Sequence, residues 1–296
     1  MIPIRYVEPV FRPPSEAESL ILPVTDGCSW NECTFCEMYT APQKKFRARD
    51  EAEVLESIRL TGERYGDQVR RVFLADGDAT VLPTRRLLAV LAAIRAHLPA
   101  VRRISSYCLP RNLRRKSQAE VDELAAAGLS MVYVGAESGD DKVLAAVHKG
   151  ETFETTREAL DKLGAAGITR SVMILNGLGG SVYSRQHAEN SARLANATQP
   201  EYLATLVVSF PLGEQRFRAG FPEWEPLTQH ELFVETEQLL SALELRRTVF
   251  RSDHASNWLV LKGTLGADKE RLLAQVRQAI SSPEKAHLRP AWARGL

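Results

Sequence analysis

From Ser19 onward, short runs rich in β-branched residues alternate with longer amphipathic stretches, and few folds satisfy that alternation. The spacing predicts strands over 20–24, 71–74, 103–107, 131–134, 171–175 and 203–209. Between them it predicts helices over 51–64, 84–97, 118–127, 153–166 and 184–197. The helix ends carry their own signals. Asp50 precedes the first helix, Ser117 precedes the third with Glu120 three residues on, and Gly128 and Gly167 stand where helices stop. Strand and helix in turn argue for a parallel sheet of the α/β class. Six such units within residues 19–210 fit a partial (β/α)6 TIM-like barrel, although an open doubly wound sheet has the same local signature.

The flanks read differently. Residues 1–18 are polar, proline-punctuated and without period, and read as an arm lying over the first strand. After Phe210 a loop carries Pro211, Gly213, Gly220, Pro222, Trp224 and Pro226. A helix over 228–242, strand-like runs at 247–250 and 258–262, and a helix over 268–280 follow. Residues 211–296 are therefore expected to form an α/β extension that caps the barrel.

The chain has 296 residues, 44% of them hydrophobic, enough for a sizeable core. A net charge of +1 gives no global argument for nucleic acid or an anionic membrane. Two local basic runs exist, Lys44, Lys45, Arg47, Arg49 and Arg111, Arg114, Arg115, Lys116, and they read as solvated loops or helix starts. No apolar run reaches the ~20 residues of a membrane span. The N-terminus lacks the basic start and apolar core of a signal peptide, so a cytoplasmic protein with reduced thiols is expected.

Against that background three cysteines stand out. Cys28, Cys33 and Cys36 form a C-x4-C-x2-C run directly after the first predicted strand. Functional loops of parallel barrels lie at the carboxyl ends of strands. Three thiolates this close can hold three corners of a four-iron cluster and leave one iron open to a substrate. A zinc site wants four ligands, and the nearest downstream histidine is His97. A redox pair Cys33-x2-Cys36 leaves Cys28 without a role.

The segment resembles the cluster loop of the radical S-adenosylmethionine (SAM) superfamily, with a first gap one residue longer than the usual C-x3-C-x2-C. Phe35 fills the aromatic place before the last cysteine and is implied to pack near the adenine end of SAM. Asp76, Gly77 and Asp78 end the second predicted strand, where the family has a glycine-glycine-glutamate motif that takes the amino group of SAM. Glu137 and Ser138, in Gly135-Ala136-Glu137-Ser138-Gly139, resemble a segment of the branch that contains oxygen-independent coproporphyrinogen oxidase and the elongator-type proteins. The run Lys149-Gly150-Glu151-Thr152 is similar to that branch too. Asn176, in the glycine-rich segment after the fifth predicted strand, is the implied polar contact along the adenine. The resemblance covers residues 19–210. It implies one [4Fe-4S] cluster on Cys28, Cys33 and Cys36, with SAM on the open iron. It also implies reductive cleavage of SAM to a 5′-deoxyadenosyl radical that abstracts hydrogen from a substrate.

Three residues outside those motifs are candidates for the substrate side. Cys108 ends the third predicted strand and reads either as a reactive thiol or as a small buried hydrophobe. Asp253 and His254 lie in an unusually polar stretch between two strand-like runs. The absence of a second three-cysteine set argues against two-cluster sulfur insertion, and a small molecule or a peptide fits best as substrate. A reductase such as flavodoxin or ferredoxin is the implied electron source. A radical methyltransferase or RNA-modifying enzyme, gripping RNA by the basic runs, is the second enzyme reading. A zinc protein or iron–sulfur electron carrier is the reading from another class.

Overall fold

The computed structural model describes residues 3–295. Its strands are β1 (Leu20–Pro23), β2 (Thr25–Asp26), β3 (Arg47–Ala48), β4 (Arg71–Ala75), β5 (Arg103–Tyr107), β6 (Leu129–Glu137), β7 (Thr169–Asn176), β8 (Tyr202–Val207), β9 (Val249–Ser252) and β10 (Leu261–Thr264). Its helices are α1 (Glu51–Tyr65), α2 (Thr84–His97), α3 (Pro110–Arg114), α4 (Gln118–Ala127), α5 (Asp141–Ala146), α6 (Phe153–Ala165), α7 (Gly180–Thr198), α8 (Gln215–Gly220), α9 (Gln229–Ala242) and α10 (Lys269–Ser281). No helix among the described residues is long and apolar enough to cross a membrane.

Eight strands form one sheet in the order β1-β4-β5-β6-β7-β8-β9-β10, and β2 pairs with β3 in a small hairpin. The pairs β1–β4, β4–β5, β5–β6, β7–β8 and β8–β9 are parallel, and β9–β10 is antiparallel. The fold is thus an α/β, mostly parallel, partial TIM-like barrel, with β1 and β10 as the ends of the strand order. Within the expected extension, β9 adds a parallel strand beside β8 in the register Tyr202↔Val249.

By compactness the chain divides into two units. Residues 1–31, 38–134 and 162–170 form the first, and residues 32–37, 135–161 and 171–296 the second. The first unit is built on β1, β4 and β5, with Leu22, Val72, Phe73 and Leu74 buried from the strands and Leu91 and Ile94 from α2. The expected caps form there: Asp50 accepts from the Glu53 N–H, and Ser117 and Glu120 close a capping box on α4. The second unit packs Val143, Val147, Leu178, Phe217, Phe221 and Trp224 into one apolar cluster.

Three expectations are corrected. In the arm, Tyr6 donates to the Ile21 carbonyl of β1 at 2.9 Å. The arm is not irregular throughout: residues 14–16 form a 3-10 turn, and Glu16 is fully buried. Its carboxylate accepts from Ser105 Oγ at 2.9 Å, Tyr133 OH at 2.5 Å and Arg103 at 3.0 Å, which is how a buried charge is satisfied. The helix expected from Ser184 begins four residues earlier, at Gly180, so part of the glycine-rich segment is helical. The basic runs are not simply solvated, because Lys44 and Lys116 are buried.

Candidate active site

In the first unit, the start of the cysteine loop is tied to the turn after β4. Cys28 is half-buried and follows β2, in the long loop that joins β2 to β3. Its neighbour Ser29 donates to Asp78 Oδ2, and Asn112 Nδ2 donates to Asp78 Oδ1. Asp76 Oδ2 receives Lys44 Nζ at 2.5 Å, an ion pair in which both side chains are buried. Tyr39 packs on Gly77: a Cβ there would lie 2.5 Å from the Tyr39 ring, so glycine is required for the approach. Asn31 Nδ2 holds the Tyr39 carbonyl at 3.0 Å, and the Arg111 guanidinium lies 3.6 Å over the Trp30 ring.

The two aspartates therefore brace the loop through their side chains. Asp78 is wholly buried, and burial pushes its carboxyl up to about 6, against the pull of Ser29 and Asn112. Asp76 keeps one buried oxygen, Oδ1, without a hydrogen-bond partner. An unmet buried acceptor suits an ammonium donor.

In the second unit, residues 32–37 carry the other two cysteines, Cys33 buried and Cys36 half-buried. The Cys36 N–H donates to the Cys33 carbonyl at 3.2 Å, closing the C-x2-C turn. Phe35 packs against the apolar cluster of α5 and α8, and Lys149 Nζ stands 5.8 Å from its ring centre. The same Lys149 donates to Glu137 Oε1 at 3.1 Å.

Glu137 ends β6 with φ 65°, in the left-handed region that non-glycine residues rarely adopt. Its carboxylate folds back over Gly135, where a Cβ would come within 2.0 Å of Oε1. This gives a physical reason for a glycine two residues before the glutamate. Ser138 is fully buried; its Oγ accepts from the Asp140 N–H at 3.0 Å and meets His187 Nδ1 at 2.8 Å. Asn176 is buried and donates to Thr236 Oγ1 at 3.3 Å. Next to it Glu235, also buried, accepts from the Gly177 N–H and Ser184 Oγ, each at 2.6 Å.

The substrate-side candidates are dispersed. Cys108 is buried at the end of β5 in the first unit, its N–H on the Tyr133 carbonyl at 2.9 Å. Asp253 and His254 follow β9 in the second unit. Asp253 pairs with Lys262 at 3.0 Å and is partly exposed. His254 Nδ1 accepts from the Ser256 N–H at 3.2 Å, which leaves the neutral ring's proton on Nε2. Burial, with Arg289 second, pushes the His254 imidazole down. Arg289 holds that loop by the His254 and Asn257 carbonyls at 2.6 and 2.7 Å.

Comparison with known proteins identifies the family. The family described as the radical SAM superfamily matches residues 22–195, more than half of the chain. The chain belongs to the radical SAM superfamily. It is therefore an enzyme of that superfamily, whose cofactors are a [4Fe-4S] cluster and SAM. Among solved structures it is similar to coproporphyrinogen III oxidase (HemN) from Escherichia coli, with a TM-score of 0.56 at 16% identity over 75% of this chain and 52% of that one. It is similar to the radical SAM methyltransferase TsrM from Kitasatospora setae, with a TM-score of 0.52 at 20% identity over 63% of this chain and 34% of that one. Methylornithine synthase (PylB) gives 0.54 at 14% identity over 92% and 74%. The chain thus spans about a third of TsrM and about half of HemN. At these identities the likeness is one of fold. A search of curated proteins by sequence finds no match.

For a radical SAM chain the donor set is apt. The loop offers three thiols, which suit an iron–sulfur cluster. Sequence reasoning missed Lys44, Asn112, His187, Glu235 and Arg216. Each meets its partner across a separation of 32 residues or more, and no local spacing announces such a contact.

Proposed function

We propose that this enzyme binds one [4Fe-4S] cluster through Cys28, Cys33 and Cys36 and holds SAM at the loops after β4, β6 and β7. The observation that carries the reading is the fastening of the cysteine loop to the turn at Asp76–Asp78, by Ser29 to Asp78 and Lys44 to Asp76. The chemistry supplied by cluster and SAM, when bound, is reductive cleavage to methionine and a 5′-deoxyadenosyl radical that takes a hydrogen atom from the substrate.

The chain's own part is to bind, orient and exclude water. Asp76 Oδ1, buried and unmet, is the acceptor we assign to the amino group of SAM, with Gly77 leaving room for the approach and Asp78 keeping the turn in place. Glu137, held by Lys149, and Ser138 are assigned to the methionine part or ribose, Asn176 to the ribose or adenine, and Phe35 to the adenine end. Cys108, Asp253 and His254 remain our candidates for the substrate side. The substrate is a small molecule or a peptide, and flavodoxin or ferredoxin in a reducing cytoplasm is the electron source that goes with this chemistry.

The test is anaerobic reconstitution followed by dithionite reduction in the presence of SAM. The expected result is about four irons and four sulfides per chain, with 5′-deoxyadenosine formed by the wild type and lost in Cys33→Ala. Zinc in anaerobically purified protein, without iron or sulfide, would sink the proposal.

A further inference from the structure

The radical SAM match ends at residue 195, yet a segment beyond it grips the last cysteine of the motif. Arg216, in the first turn of α8, donates from Nη1 to the Cys36 carbonyl. Four positions before it, the Leu212 N–H donates to Glu37 Oε2 at 3.1 Å. On the other side, the Thr34 N–H donates to the Val147 carbonyl at 3.0 Å. Residues 34–37 are thus held by three elements of the second unit.

Helix α8 has a fixed rotation. Phe217 and Phe221, four apart and both fully buried, lie in the same apolar cluster that receives Phe35. Their ring centroids are 6.1 Å apart, and Phe217 lies 5.0 Å from Trp224. At the end of α8, a Cβ on Gly220 would lie 3.0 Å from Thr34 Cγ2, so the helix also lies against the cysteine segment. Arg216 is half-buried, and the two aromatic anchors fix the position of its backbone on α8. Its charge stays on the backbone of a cysteine that we read as an iron ligand.

Cluster potentials respond to net charge and hydrogen bonding around the ligands. Reduction adds an electron, so a fixed cation beside the ligand backbone favours the reduced form. Partial exposure attenuates this without abolishing it.

We propose that Arg216 is a positioning residue of the cluster loop: through the Cys36 carbonyl it sets the loop's conformation and biases the bound cluster toward reduction. This rests on the cluster reading above. A guanidinium is suited to the task, since it stays charged at any working pH and its fork offers several donors to carbonyl oxygen.

The test is an EPR-monitored redox titration of the reconstituted enzyme and of Arg216→Gln, Arg216→Lys and Phe217→Leu, with iron and sulfide counted in each. Arg216→Gln keeps a donor but loses the charge, and is expected to shift the reduction equilibrium about tenfold toward the oxidised form, 59 mV lower for one electron. Arg216→Lys, which keeps the charge, should stay near the wild type. Phe217→Leu leaves a cavity beside the same helix but keeps the guanidinium, so it should lower thermal stability with a clearly smaller shift in potential than Arg216→Gln. An unchanged potential in an iron-replete Arg216→Gln overturns the proposal, and so does an equal drop in all three variants. Wild-type protein that holds no iron and sulfide would overturn the cluster reading instead, so the two failures are told apart.

Discussion

Asp78 shows what a single buried carboxyl does at this site. Its folded-state pKa of about 6 lies above the usual 3.8, because burial outweighs the hydrogen bonds from Ser29 and Asn112. The folded chain therefore holds this proton more tightly than the unfolded chain does. Stability falls as pH rises from about 4 through about 6, by roughly 1 kcal/mol between pH 5 and pH 7. Asp78→Asn keeps acceptor and shape but has nothing to titrate. Thermal melts of metal-free protein should show its advantage over the wild type growing across that interval, and a constant difference would refute the account. Lys44 gives the opposite case. Its ion pair with Asp76 is buried on both sides, so Lys44→Met strands a carboxylate and should cost about 3–5 kcal/mol in urea melts. Lys44→Met with Asp76→Asn should recover a large part of that, because no bare charge is left. From the sequence, Lys44 reads as one member of a solvated basic run, since a partner 32 residues away leaves no local trace.

At the scale of elements, the sequence was most informative where periodicity and caps agree. The helices over 84–97 and 118–127 and the strand over 103–107 form with the expected bounds. There the stripe, the Ser117–Glu120 box and the Gly128 stop all point the same way. Short elements were not legible: α3, α5, α8 and the β2–β3 hairpin have too few residues to show a period. They are held by tertiary contacts instead, as Phe217 and Phe221 hold α8 in the apolar cluster. The site followed the same rule. The motifs were legible as a line of strand-end segments, but the braces between them were not. Gly77 tests one brace. Gly77→Ala puts a Cβ into the Tyr39 ring, which is itself buried, and overpacking of this kind costs about 1–3 kcal/mol. Hydrogen exchange at residues 27–31 and 39–46 should rise in that variant while α4 stays protected. Equal protection in both regions would mean that Tyr39 gives way without loosening the loop.

At the scale of the whole molecule, what matters is where the cations are spent. An RNA-modifying radical enzyme would need the two basic runs as a phosphate grip, and a net charge of +1 supplies no general field to replace them. Most of those cations already have work inside the first unit. Lys44 is buried on Asp76, and Arg47 and Arg49 share Asp26, each at 2.7 Å. Arg111 lies over Trp30, and buried Lys116 donates to the Leu82 carbonyl at 2.7 Å. Lys45, Arg114 and Arg115 stay exposed, on two separate segments of chain, and the exposed Arg47 is already paired with Asp26. A grip of three scattered charges releases few counterions, so binding should be weak and its salt dependence shallow. Fluorescence anisotropy with labelled tRNA at 50 mM salt should therefore show a Kd weaker than about 10⁻⁴ M, the loose end of non-specific binding. Micromolar binding with a steep salt slope would restore the RNA reading, and loss of that slope in Arg114→Gln with Arg115→Gln would place the grip at the end of α3.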